Sequence, residues 1–166
     1  LYEKVFARIF TFGKAMGSHG ASVLGSELLS EYLINFSRSF IYTTALPPHS
    51  VATILASYQA LSNNGIPHPD LIKLNKNIDI FKACLSSQGI TSRLIESRSA
   101  IQGCVIPGND EVKKAATHLQ VKGYDVRPIL SPTVPMGKER LRICLHSFNT
   151  VYDIKNLVTQ LAIFIK

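Results

Sequence analysis

Tryptophan is absent from this 166-residue chain, cysteine occurs three times, and 11 acidic residues stand against 18 lysines and arginines. Cys84, Cys104 and Cys144 are odd in number, far apart, and form no Cys-x-x-Cys pair. That spacing argues against a disulfide scaffold and a zinc site, so no metal is expected and a reducing cytoplasm fits best. The longest apolar runs, such as Leu161-Ala162-Ile163-Phe164-Ile165, are far shorter than the roughly 20 residues of a membrane-spanning helix. No membrane partner is expected. There is no Lys/Arg-rich block and no interleaving of basic with aromatic residues, which speaks against nucleic acid. The formal charge of +7 favours other anionic partners, such as phosphates, coenzyme A or an acidic carrier protein. A hydrophobic content of 46% with 17% charged residues excludes disorder and suits one compact domain or two small ones. The opening segment LYEKVFARIF starts at Leu1 and has no signal-peptide pattern, so the chain is expected to be cut from something longer.

Periodicity organises the rest. Val23 to Ser26 reads as the end of a short apolar strand, and Ser26 as the cap of a helix carrying Leu28, Leu29, Tyr32, Leu33 and Phe36 on one buried face. Phe40 to Thr44 is β-prone and is stopped by Pro47-Pro48. A helix follows from about Ser50 to Leu61, and Asn63-Asn64-Gly65-Ile66-Pro67 breaks it, placing a boundary between residues 1–62 and 63–166. From Pro69 to about Ser87, Leu71, Leu74, Ile78, Phe81 and Leu85 step by three and four, which predicts a helix ended by Gly89. Strands at Ala100–Ile106, Tyr124–Leu130 and Arg140–Leu145 alternate with helices at Asp110–Lys122 and Thr150–Ile165. The second part therefore reads as a small α/β or α+β layer, a sheet covered by helices on one face.

The most informative stretch is Thr11-Phe12-Gly13-Lys14-Ala15-Met16-Gly17-Ser18-His19-Gly20-Ala21-Ser22-Val23-Leu24-Gly25-Ser26. Gly13, Ala15 and Gly17 leave Lys14 almost without neighbouring bulk, so a planar ligand can approach its amine. A Schiff base is one reading, and a solvated loop lysine is the other. Walker-type phosphate binding is disfavoured, because Ala15 follows the lysine and no second glycine lies upstream. Read by themselves, Thr11 is a turn or capping threonine, Thr43 and Thr44 are strand threonines, and Arg140 and Arg142 share one strand face.

Four segments in order carry a resemblance: Thr11 to Ser26, Ile41-Tyr42-Thr43-Thr44-Ala45-Leu46-Pro47-Pro48, Ser131-Pro132-Thr133-Val134-Pro135 and Arg140-Leu141-Arg142-Ile143. Together they resemble the α-oxoamine synthases, fold-type I enzymes that use pyridoxal 5'-phosphate. The similarity covers essentially the whole chain. It implies an α/β fold: residues 1–62 as the end of the large cofactor-binding domain and 63–166 as the small C-terminal domain. It implies that Lys14 forms the Schiff base and then moves the substrate's α-proton, with burial and nearby positive charge favouring the neutral amine. It gives Thr11 a cofactor contact, and Thr43 and Thr44 the phosphate of the cofactor in a second subunit, hence a homodimer with shared active sites. Thr133 is implied to contact substrate and Arg142 to grip its carboxylate, which suits a guanidinium's two parallel donors. His19 and His146 fall on no catalytic position of the family.

The Thr-Phe-Gly-Lys-Ala version points to the branch that condenses L-alanine with a pimeloyl thioester, the acyl group carried by coenzyme A or a carrier protein. A sibling using glycine or serine with another acyl-coenzyme A, and a non-catalytic partner subunit, are the alternatives. The family's ring-stacking histidine, its aspartate for the ring nitrogen and its glycine-rich phosphate contacts all lie upstream of the lysine. The chain alone is therefore expected to be an inactive C-terminal part.

Overall fold

The computed structural model describes residues 4–63 and 67–165, which fall into two compact units, Leu1–His68 and Pro69–Lys166. In the first, β1 (Ala7–Thr11) and β2 (Ala21–Gly25) pair antiparallel, with Ala7 opposite Gly25 and Thr11 opposite Ala21. Helix α1 (Glu27–Phe36) starts where expected, the Ser26 hydroxyl accepting the Leu29 amide at 3.2 Å. Gly25 lets α1 fold back on the hairpin, since a Cβ there would lie 2.5 Å from Leu29 Cδ2.

Two expectations fail here. Leu28, Tyr32 and Phe36 are 76%, 59% and 67% exposed, so the apolar face of α1 is not buried. A two-stranded hairpin is too narrow to cover a three-turn helix. Phe40–Thr44 is not a strand: α2 (Arg38–Ile41) is a single helical turn, and Tyr42–Pro47 has no regular structure. No described strand offers this segment a ladder, whereas the Ile41 amide reaches the Ser37 carbonyl at 2.9 Å. Helix α3 (Pro48–Asn63) begins two residues before the expected start. Pro48 occupies its first turn, where a missing N–H leaves no bond unmade. The breaker Asn64-Gly65-Ile66 lies outside the described residues.

The second unit builds its own core. Helix α4 (Pro69–Ser87) occupies the expected range and buries Ile78, Phe81 and Leu85. A 3-10 turn at Thr91–Arg93 leads to β3 (Leu94–Ile95), then β4 (Ile101–Val105), α5 (Asn109–Val121), β5 (Arg127–Ile129), β6 (Arg140–Cys144) and α6 (Val151–Ile165). The strands form one antiparallel sheet in the order β3-β4-β6-β5. Alternation divides its faces. Gln102, Cys104, Leu141 and Ile143 are buried, and the last three join residues of α4, α5 and α6 in a single cluster. Ile101, Gly103, Arg140 and Arg142 occupy the other face. Helices thus cover one side of the sheet, as the sequence predicts.

Burial pushes the Cys104 thiol up to about 12, so it stays protonated and serves as packing. Helix α6 opens with a reciprocal cap: the Thr150 hydroxyl donates to Asp153 Oδ2 at 2.6 Å and accepts the Asp153 amide at 3.1 Å. Thr150→Ala is expected to cost about 1 kcal/mol, read as a lower urea midpoint with an unchanged slope. No described helix is long and apolar enough to cross a membrane.

Candidate active site

Lys14 sits in the loop between β1 and β2. Hydrogen bonds continue past the strands into this loop: the Phe12 amide reaches the Gly20 carbonyl and the Ser18 amide the Phe12 carbonyl, both at 2.9 Å. The Gly17 amide closes a turn on the Lys14 carbonyl at 2.9 Å, with Gly17 at φ +60°. A residue other than glycine is strained there. Helix α3 braces the loop from below. Phe12, 6% exposed, meets the edge of Tyr58 with ring centroids 6.3 Å apart, and the Ser57 hydroxyl donates to the Met16 carbonyl at 3.0 Å. Ser57 and Tyr58 were not foreseen from sequence, because they occupy ordinary helix positions 41 or more residues from the loop they hold.

The lysine amine is 3.0 Å from the Thr11 hydroxyl, so the structure brings these two candidates together. Lys14 is exposed, and the burial expected around it is not supplied by the described residues. Ser18 Oγ is buried with no hydrogen-bond partner among the described residues. Thr43 and Thr44 are exposed in the irregular segment after α2, the Thr43 hydroxyl reaching the Thr44 carbonyl at 3.3 Å. Two residues on, Leu46 packs over Gly20, where a Cβ would lie 3.0 Å from its Cδ1. The threonine segment therefore borders the lysine loop. A primary amine with the Thr11 hydroxyl beside it, and the unpartnered buried Ser18 hydroxyl in the same glycine-containing loop, form a donor set that fits a phosphorylated aldehyde.

The remaining candidates lie on the second unit. Thr133 is exposed on the loop joining β5 to β6, directly after the cis Ser131-Pro132 bond within that loop. Arg140 and Arg142 do share the open sheet face, and geometry separates them further. Arg140 Nε donates to the Lys138 carbonyl at 2.9 Å, while the Arg142 side chain has no hydrogen bond or ion pair among the described residues. Both line a cleft of about 440 Å³ on that face, floored by Ile95, Gly103 and Ile129. Arg142 is also opposite Arg127 in register and borders a second groove of about 620 Å³ with His146 and Phe148. His146 stacks on Phe148 at 4.7 Å, away from the lysine loop in the chain and in another unit.

Residues 6–161 match the family described as aminotransferase class I and II. The chain is 37% identical to the 8-amino-7-oxononanoate synthase of Emericella nidulans, with 100% of the chain and 40% of the relative covered. It is 36% identical to the 8-amino-7-oxononanoate synthase of Pectobacterium atrosepticum, covering 92% and 38%. The crystal structure of 8-amino-7-oxononanoate synthase from Francisella tularensis matches with a TM-score of 0.84 and 28% identity, over 97% of this chain and 46% of that one. The chain thus spans about two-fifths of the length of the curated relatives it matches. By its sequence over nearly its full length and by its fold, the chain belongs to the aminotransferase class I and II family of fold-type I, pyridoxal phosphate-dependent enzymes.

Proposed function

We propose that this chain supplies the lysine-bearing part of a cytoplasmic acyltransferase that condenses L-alanine with a pimeloyl thioester. The new carbon–carbon bond joins the alanine α-carbon to the acyl carbonyl, and the thiol and carbon dioxide leave, giving 8-amino-7-oxononanoate. The observation that carries this reading is Lys14 in its glycine-lined loop, its amine 3.0 Å from the Thr11 hydroxyl, on a chain whose relatives bear that enzyme's name. Pyridoxal phosphate, when bound, supplies the electron sink for charge left on the α-carbon.

The chain's own residues do the rest. Lys14 would hold the cofactor through its amine and, once freed, would move the proton at the substrate's α-carbon. Thr11 orients the lysine side and contributes a hydroxyl to the cofactor. Thr43 and Thr44, exposed beside the loop, reach the phosphate of the cofactor in a second copy, which makes the enzyme a homodimer with shared sites. Thr133 contacts substrate, and Arg142, whose side chain has no hydrogen bond or ion pair among the described residues, takes the alanine carboxylate.

The test is borohydride reduction of the enzyme that contains this chain, followed by peptide mapping and assay with three amino acids. A pyridoxyl adduct on Lys14 and turnover with alanine are expected. An adduct elsewhere refutes the lysine assignment. Turnover with glycine or serine in place of alanine moves the enzyme to a sibling branch.

A further inference from the structure

The first turn of α5 is tied to the loop that carries Thr133. Gly108, the N-cap, has φ +95° and no side chain of its own to cap the helix. Its amide is taken by Glu139 Oε2 at 2.9 Å, across 31 residues of sequence. One position on, Asn109 makes both bonds that a neighbouring strand would make to Ser131: its Oδ1 accepts the Ser131 amide at 2.9 Å and its Nδ2 donates to the Ser131 carbonyl at 3.3 Å. Ser131 lies two residues before Thr133, and the Val134 amide closes the intervening turn on the Leu130 carbonyl at 3.1 Å. The two ends of the segment 131–139 are thereby fixed to two consecutive residues.

Glu139 is the informative member. It is 2% exposed, yet has no cationic partner among the described residues. Burying a carboxylate is unfavourable unless hydrogen bonds satisfy it. Backbone amides do so, that of Gly108 foremost, with those of Glu139 itself and Gly137, and they hold the carboxyl below the ordinary carboxylate range. The charge makes no ion pair among the described residues, so its contribution is geometric: it pins the return of the loop, and the start of β6 with Arg140, to the N-terminal end of α5. The Ile106 amide donates to the Glu139 carbonyl at 2.9 Å and locks the same point from the sheet side.

We infer that Asn109 and Glu139 are positioning residues that clamp the Thr133 loop to the first turn of α5 and so set the affinity for substrate at Thr133. The inference rests on the reading of Thr133 as a substrate contact, given under Proposed function. Neither residue reaches substrate; each acts through the backbone of the loop.

The experiment uses the complete enzyme with Asn109→Ala, Glu139→Gln, Glu139→Ala, Thr133→Ala and the double variant Asn109→Ala/Thr133→Ala. Amide hydrogen exchange reads the clamp without any activity. Exchange across 131–139 is expected to rise by about tenfold in Asn109→Ala and in Glu139→Ala, and less in Glu139→Gln, which retains an acceptor for Gly108. Kinetics reads its consequence: KM for the amino acid or thioester is expected to rise by about tenfold with kcat little changed. The double variant is expected to be no worse than Thr133→Ala alone, because residues acting through one another are non-additive.

Unchanged exchange in both alanine variants overturns the clamp. Raised exchange with unchanged KM, or full additivity in the double variant, overturns its role in substrate affinity. Lys14 labelling by borohydride is scored separately on the same preparations. Its failure refutes the lysine reading, while the exchange and KM results still decide the clamp.

Discussion

Lys14→Ala is expected to remove the visible absorbance of the lysine-bound cofactor and to lower turnover by about a thousandfold or more. A positioned general base alone typically contributes 10²–10⁴-fold. The proposed covalent attachment is lost as well. The expectation follows from placement: the loop is held by Phe12 on Tyr58 and by Ser57 on Met16, so the backbone of this substitution site does not depend on the lysine side chain. The variant is therefore expected to fold, and its far-UV spectrum should match the parent. Absorbance spectra and product formation check it together. A variant that turns over normally removes Lys14 from the mechanism.

The second large effect concerns the open sheet face. Arg142→Ala is expected to raise the KM for alanine by roughly ten- to a hundredfold, the loss of one or two charge-assisted hydrogen bonds. Arg142→Lys is expected to recover little, because an ammonium cannot present two parallel donors to a carboxylate. Arg140→Ala is the decisive control, since both arginines line the same cleft. Its guanidinium is partly engaged by the Lys138 carbonyl, so a smaller rise is expected. If Arg140→Ala gives the larger rise, the carboxylate grip belongs to the residue that opens β6 next to the Thr133 loop.

Where sequence alone was informative, the reason is local. The three-and-four stepping from Leu71 to Leu85 reports a helix whose inward face is set by residues on that same helix, and α4 occupies the range it predicts. Ser26 caps α1 because a cap depends on residues three apart. The lysine loop is legible because small residues accumulate around one amine. Phe40–Thr44 misleads because aromatic and branched residues favour a strand only when a neighbour supplies a ladder. The face of α1 misleads in another way: spacing shows which residues could be covered, and Leu28, Tyr32 and Phe36 find no cover within the described residues. β1 and the two-residue β3 went unread, the first because apolar residues stand on both sides of Arg8.

Asn109 and Glu139 illustrate what pattern reading misses. Asn109 stands immediately before Asp110, where the sequence places the start of a helix. Its actual partner is 22 residues away. Glu139 stands between Lys138 and Arg140, and nothing in that charged setting marks it for burial. Only the return of the chain shows that it is buried.

The uncovered aromatic and aliphatic side chains of the first unit have a practical side. Phe6, Leu28, Phe36 and Tyr42 each present about two-thirds or more of their area to water. Handled alone, this polypeptide is expected to brighten a dye such as anilinonaphthalene sulfonate and to form soluble aggregates that grow with added ammonium sulfate. Purification in moderate arginine and at low protein concentration follows from that colloidal behaviour.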